Sequence, residues 1–354
     1  MRPDMLGGLR VLRAGLGATI QDGGRHGYLR YGVTPAGPMD WVAFRTANSA
    51  LGNNDRAAAI EVPVGGLEVI CECAPLALTF AGGAFLWRRD GVLLPKAARL
   101  LLEPGKTLAA RAGDFGAFAY LAVEGGFGTP VIMGSRATHM RSAMGGIEGR
   151  MLRAGDVLPA AASTEERGGV GSEATIEAPW LAREADPFRV VLGPQDDYFT
   201  VATLSAFFEG QFTLTPAADR MAYRLKGPEI AHAGGYDIVS DGTALGAIQI
   251  AGDKQPLVLM ADRQPTGGYP KLGHVARADI GRLAQMRPGE TCRFRAVSVA
   301  EARAALLRRE DEIAQTVPRL RPLRPELTSE NLFGANLIDG VVDPLDSERI
   351  GGEY

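Results

Sequence analysis

The residues best equipped for chemistry lie between Ser240 and Ala276, where polar groups are set between apolar runs. Ala247-Ile248-Gln249-Ile250 alternates like a strand with one polar position. The apolar run Pro256–Ala261 then leads straight into Asp262-Arg263-Gln264-Pro265-Thr266-Gly267-Gly268-Tyr269-Pro270-Lys271. A strand that ends in charged, amide and hydroxyl groups with a double glycine reads as the rim of a pocket. Gly267-Gly268 admits positive φ or the close approach of a ligand, and loops on a rigid scaffold are where function concentrates. The plainer alternative is a surface turn braced by an Asp–Arg pair. Two further polar, glycine-rich stretches run from Gln21 to Asp40 and from Gly134 to Arg150. Such groups orient a small polar ligand and stabilise a developing oxyanion. Lys271, Arg25, Arg136 and Arg220 could hold a carboxylate, the arginines bidentately. Asp40, Asp262 or Tyr269 could move a proton. Some of these residues would instead be Arg–Asp pairs that brace long loops.

The elements that must position these groups are mostly strands. The chain has 46 Gly and 22 Pro in 354 residues, which argues for many short elements joined by turns. Strands are expected at Leu9–Leu12, Leu67–Ile70, Leu76–Phe80, Ala117–Val123, Phe188–Leu192, Phe212–Leu214 and Ala247–Ile250. Similar turn-to-strand junctions at Gly105, Gly113, Gly155 and Gly289 hint at two barrel-like halves. A helix is predicted from Trp41 to Leu51, with Asp40 as N-cap and Gly52 as its stop. A second begins at the capping box Ser298-Val299-Ala300-Glu301 and carries an apolar stripe of Val299, Leu306 and Ile313. Residues 160–186 have the small, charged composition of a linker. The expected organisation is therefore a first subdomain over 1–170, a second over 187–316 and a C-terminal tail over 317–354.

Composition narrows the function. The net charge is −3, so no global basic field points to nucleic acid. No apolar stretch approaches the roughly 20 residues that cross a bilayer, and the N-terminal stretch lacks the apolar core of a signal peptide. Cys71, Cys73 and Cys292 are too few for a disulfide framework. A cytoplasmic location is the expectation. There is no phosphate-binding G-x-x-x-x-G-K-[ST] loop, no H-E-x-x-H and no G-x-S-x-G elbow. Gly15-Leu16-Gly17 lacks the third glycine of a dinucleotide fingerprint. His26, His139, His232 and His274 fall in separate segments and read as structural, so no metal is expected.

The longer motifs carry a resemblance. IQDGGRHGYLRYGVTPAGPMD (20–40), LGNN (51–54), AYLAVEGGF (119–127), GSRATHM (134–140), GGIEGR (145–150) and GDVL (155–158) occur in the first part. LGPQDDYF (192–199), DRMAYRLKGPEI (219–230), GAIQIAGDKQPLVLMADRQPTGGYPKLGHV (246–275) and LAQMRPGE (283–290) follow. In this order they resemble the biotin-dependent carboxyltransferase / allophanate hydrolase subunit 2 family, also called the KipA or PxpC family. Ala222 and Ala251 stand where relatives commonly have Gly and Pro. The resemblance implies a mainly β fold of two cyclophilin-like β-barrel subdomains with a few short helices. It implies a subunit of an ATP-dependent 5-oxoprolinase that opens 5-oxo-L-proline to L-glutamate. Its partners would be a subunit 1 of KipI or PxpB type and a LamB/YcsF-like protein, with the ATP site outside this chain. Two alternatives travel with the family: transfer of CO₂ from carboxybiotin to urea or another small amide, and a KipA-like regulatory protein that binds a kinase inhibitor. The resemblance assigns catalytic roles to Gln249, Asp262, Tyr269, Lys271 and Asp40. It assigns substrate binding to Gln21, Arg25, Arg136, Thr266, Gly267 and Gly268. Gln249 and Thr266 would hydrogen-bond an amide or ureido group, Lys271 or an arginine would hold a carboxylate, and Tyr269 or an aspartate would shuttle a proton.

Overall fold

Residues 7–161 and 172–323 are described here from a computed structural model. The first half is built of two sheets. In one, the strand Gly8–Ala14 pairs antiparallel with Val157–Pro159 on one side and Leu67–Glu72 on the other, and the sheet continues through Thr107–Arg111 to Leu86–Arg89 and Val92–Leu93. The other runs Thr19–Gln21, Ala59–Pro63, Phe118–Val123, Leu76–Gly82 and Ala98–Leu102, and is extended by Ala174–Ile176 and Leu320–Pro322. Alternation of side chains across a strand sends Leu9, Val11, Ile20, Ile60, Val62, Phe80 and Leu121 into the core between the sheets, where Phe80 stacks on Trp87 at 4.3 Å. The same alternation turns Ala59, Glu61, Ala81, Tyr120 and Ala122 to the opposite face. Helix α1 (Trp41–Ser49) covers that face, and its Ala43, Phe44 and Ala47 pack on the small alanines.

The second half is one eight-stranded sheet. Its two edge strands are Thr291–Cys292 and Phe294–Ala296, so only Arg293 separates the edges in the chain and the sheet is nearly closed. Phe207 of helix α2 (Val201–Glu209), Phe212 and Phe294 fill its core. The molecule is thus mainly β, with two barrel-like halves and a few short helices, as the resemblance implied.

Helices α3 (Arg277–Ala284) and α4 (Val299–Ala314) pack with α1 where the halves meet. The capping box at Ser298 is present with both of its hydrogen bonds. The apolar stripe expected on α4 is corrected at one end. Val299 is 71% exposed, and the buried positions are Ala305, Arg309 and Ile313, spaced by four along one face. Ile313 joins Trp41, Val42 and Trp180 in a small apolar cluster, so the helix packs on the first half as well as its own. The segments taken for linker and tail both contain a strand, Ala174–Ile176 and Leu320–Pro322, and these pair with each other. Residues 162–171 and 324–354 of those segments lie outside the described residues. Among the described residues, no helix is long and apolar enough to cross a membrane.

Candidate active site

The candidate residues fall into three groups. The first is assembled in the second half by four strands. Gln249 lies opposite Lys271 in the pairing of Ala247–Ile250 with Lys271–Val275, and the short strand Thr266–Gly267 pairs with Asp241–Gly242. Lys271 is 1% exposed, and its ammonium donates to Asp241 Oδ2 at 2.9 Å. That bond, with the backbone N–H of Gly242, holds the Asp241 carboxyl below its usual range. The backbone N–H of Lys271 donates to Gln195 Oε1 at 3.1 Å, which ties Gly193-Pro194-Gln195 to the same site. Gln249 is fully buried, and among the described residues its Nε2 has no hydrogen-bond partner. Gly267 is needed for close approach. A Cβ there would stand 2.4 Å from Gln249 Nε2. Of the two uses expected for the double glycine, close approach is the one that remains, since neither Gly267 nor Gly268 adopts positive φ. Thr266 and Tyr269 are exposed at the rim, Tyr269 by 39%.

The second group spans the junction of the halves. Arg220 donates through Nε and Nη2 to the two Asp262 oxygens at 2.9 Å each, through Nη2 to the Gly37 carbonyl at 2.6 Å, and through Nη1 to Glu61. Burial alone would lower the pKa of Arg220, but the charges of Asp262 and Glu61 outweigh it and raise it. Tyr120 donates its hydroxyl to Glu61 at 2.7 Å, and burial with the Glu61 charge pushes that phenol well above its ordinary value. Asp22 accepts from Gly24 N, Ser135 Oγ and Arg136 N and so fastens the 134–137 loop, while the Arg136 side chain is half-buried. Gln21 is a brace: its amide donates to Thr19 Oγ1 and the Thr138 carbonyl and accepts from Gly37 N. Arg25 lies under this loop and donates to the carbonyls of Ile132 and Ala137 at 3.0 and 3.1 Å.

Asp40 is the third group, joined to the second by its backbone N–H, which donates to the Tyr120 hydroxyl at 2.8 Å. Its Oδ1 caps α1 by accepting from Val42 N and Ala43 N, and its Oδ2 accepts from Gln285 Nε2 at 2.8 Å. Burial raises its pKa against those hydrogen bonds. It borders a separate cavity of about 240 Å³, lined also by Trp180, Arg282, Gln285 and Arg309, which touches none of the other candidate residues. Asp40 and Asp262 have both oxygens engaged, so they read as structural carboxylates rather than open bases. The structure therefore gathers Gln249, Thr266, Gly267, Gly268, Tyr269 and Lys271. It places Asp262, Arg25, Gln21 and Arg136 at the junction.

Sequence reasoning missed Asp241, Gln195, Glu61, Tyr120 and Gln285. One signal was available for Glu61, a lone acid inside the apolar run Ala57–Val64, all of whose strand positions are buried. Of the histidines, His26, His232 and His274 each meet a backbone carbonyl. His139 pairs through Nδ1 with Ser142 Oγ.

Known proteins agree with this architecture. The model of the carboxyltransferase domain, subdomain A and B, matches residues 31–296. The C-type subunit of the Escherichia coli 5-oxoprolinase is 36% identical over 295 residues, which are 83% of this chain and 93% of that protein. Its counterpart in Haemophilus influenzae is 37% identical, over 84% of this chain and 93% of its own length. The crystal structure of the K. lactis urea amidolyase superposes with a TM-score of 0.81 at 26% identity, over 91% of this chain but only 20% of that one. Both the length of the family match and the identity to these relatives assign this chain to the family of carboxyltransferase domains with subdomains A and B.

Proposed function

We propose that this chain is the C-type subunit of a 5-oxoprolinase and that it takes part in opening 5-oxo-L-proline to L-glutamate. The observation that carries the reading is the coverage: two C-type subunits of 5-oxoprolinase are matched over 93% of their own length. The chemistry of the site suits a lactam. Hydrolysis adds water across the amide: the water oxygen bonds to the carbonyl carbon, the C–N bond breaks and the ring nitrogen leaves protonated. The developing oxyanion needs fixed donors in a site shielded from water. Gln249 Nε2 and the buried Lys271 ammonium are such donors, and Asp241 keeps that ammonium oriented. Tyr269 at the rim is the group available to pass a proton to the leaving nitrogen.

Amide opening in this reading is driven by ATP, which a partner subunit would bind. The partners would be a subunit 1 of KipI or PxpB type and a LamB/YcsF-like protein, all in the cytoplasm. A second reading, transfer of a carboxyl group to urea or another amide, is favoured by the family and by the superposition on the urea amidolyase. Were biotin used, Gln249 and Lys271 fit its ureido group, and biotin would supply the carboxyl group. The test is an assay of glutamate formed from 5-oxoproline and ATP by this chain with both partners. Glutamate that disappears when this chain is omitted supports the oxoprolinase. No glutamate from an assembled complex overturns it, and biotin-dependent carboxylation of urea or tight binding without turnover would then identify the alternative.

A further inference from the structure

Among the described residues Arg25 is, with Arg263, a deeply buried arginine that has no bonded carboxylate; Arg263 holds only the Thr243 carbonyl. Arg220 is neutralised by Asp262 and Glu61, and Arg309 by Glu184 and Glu312. Arg25 is only 1% exposed, yet its hydrogen bonds go to two neutral carbonyls, of Ile132 and Ala137. Its nearest carboxylates are committed elsewhere: Asp22 to Gly24, Ser135 and Arg136, and Asp262 to Arg220. Burying a guanidinium without a bonded anion costs stability, and here burial does depress its pKa. Among the described residues Arg25 Nη1 has no hydrogen-bond partner, and neither do Thr138 Oγ1 and His139 Nε2, all three shielded from solvent. Arg25 and Thr138 lie under one loop, and His139 follows Thr138 in the chain. Arg25 Nη2 holds the Ala137 carbonyl, one residue before Thr138. The Gly145-Gly146 backbone closes over both side chains. A Cβ on Gly145 would meet Arg25 Nη2 at 3.0 Å, and one on Gly146 would meet Thr138 Oγ1 at 2.0 Å. Ser142 fixes the ring of His139, which leaves Nε2 as the free end.

We infer that Arg25, Thr138 and His139 form a subsite for a small oxyanion, and that in the proposed reaction this anion is the carboxylate of the substrate. The carboxylate assignment rests on the oxoprolinase reading, whereas the oxyanion subsite does not. A guanidinium N–H, a hydroxyl and an imidazole N–H are three donors, which match one carboxylate or the equivalent oxygens of a phosphate. The three side chains are therefore binding residues, distinct in role from Gln249 and Lys271.

The experiment is calorimetric titration of the full chain with 5-oxoproline, with 2-pyrrolidinone (the same lactam without a carboxylate), with acetate and with inorganic phosphate. It is run on the wild type, Arg25→Gln and Thr138→Val. The wild type is expected to prefer 5-oxoproline over 2-pyrrolidinone by roughly 10- to 100-fold, the value of hydrogen bonds to a charged group. Arg25→Gln should abolish that preference and leave the affinity for 2-pyrrolidinone unchanged. Thr138→Val, the smaller change, should weaken it if Arg25→Gln fails to fold. Acetate bound through Arg25 without binding of 5-oxoproline would keep the subsite and remove the oxoprolinase reading. Phosphate preferred over both carboxylates in an Arg25-dependent way would overturn the carboxylate assignment. Equal binding of every anion by wild type and variants, or no binding of any anion, would overturn the subsite.

Discussion

Arg220→Met tests whether the two halves are held by charge. The substitution keeps the apolar stem and removes a guanidinium that bonds to Asp262 twice, to Glu61 and to the Gly37 carbonyl. Glu61 is fully buried and Asp262 nearly so. Removing one partner of a buried ion pair costs about 3–5 kcal/mol, because the remaining charge stays uncompensated. Here two carboxylates are left, one from each half, so the upper part of that range is expected. At roughly 2 °C per kcal/mol for a chain longer than 250 residues, Tm should fall by about 8–10 °C. Thermal and urea unfolding, each followed by circular dichroism and tryptophan fluorescence, are the assays. Trp87 reports the first core, and Trp41 and Trp180 report the junction. Adding Asp262→Asn to Arg220→Met removes one stranded charge, so the two costs should fall short of additivity by about 1–3 kcal/mol. A Tm within about 2 °C of wild type, or strictly additive costs, would refute the reasoning.

Other changes probe single contacts. Lys271→Met should lower turnover of the assembled complex by at least about 100-fold, as for loss of one oxyanion donor, with the melting curve little changed; an undiminished rate would remove Lys271 from the mechanism. Gly281→Ala would ordinarily stabilise a helix by about 0.5–1 kcal/mol, but its Cβ would stand 2.3 Å from Asp40 Oδ1, which is pinned as the cap of α1. A loss of about 1–3 kcal/mol is expected instead, and a higher Tm would show that the cap can move. Burial would push Asp279 up, but hydrogen bonds from Arg189 outweigh it and hold its carboxyl below the usual range. A depressed pKa contributes stability above the unfolded value, near 3.9, that is lost as pH falls through the folded value. The gap in urea midpoint between wild type and Asp279→Asn should be full at pH 7 and narrow below about pH 4; a gap independent of pH would contradict this.

What the sequence shows and what it hides follow from distance along the chain. The Asp40 cap, the Ser298 capping box and the strands Phe188–Leu192 and Ala247–Ile250 depend on neighbours within a few residues, and local pattern suffices for them. The polar run from Thr266 to Lys271 was legible for the same reason, since one apolar strand delivers it. The junction was not. Arg220 meets Glu61 across 159 residues of chain, and Gln285 meets Asp40 across 245. No period of 2 or 3.6 encodes such pairs. Asp40 caps its helix as expected because that role needs only the next two N–H groups, whereas the Gln285 amide that closes its other oxygen was out of reach of local pattern.

The pairing of Ala174–Ile176 with Leu320–Pro322 has a consequence for how the molecule can be taken apart. Ile176 lies opposite Leu320, and Glu177 N still reaches the Arg319 carbonyl at 3.3 Å. The two strands form the stem of a hairpin whose loop is the entire second barrel together with α4. In connectivity that barrel is an insertion into an edge of the first. A gene cut at residue 170 would therefore strip two strands and leave Ala98–Leu102 as a bare edge open to aggregation. Residues 177–319 could instead be replaced by a turn of about two to five residues without breaking the sheet.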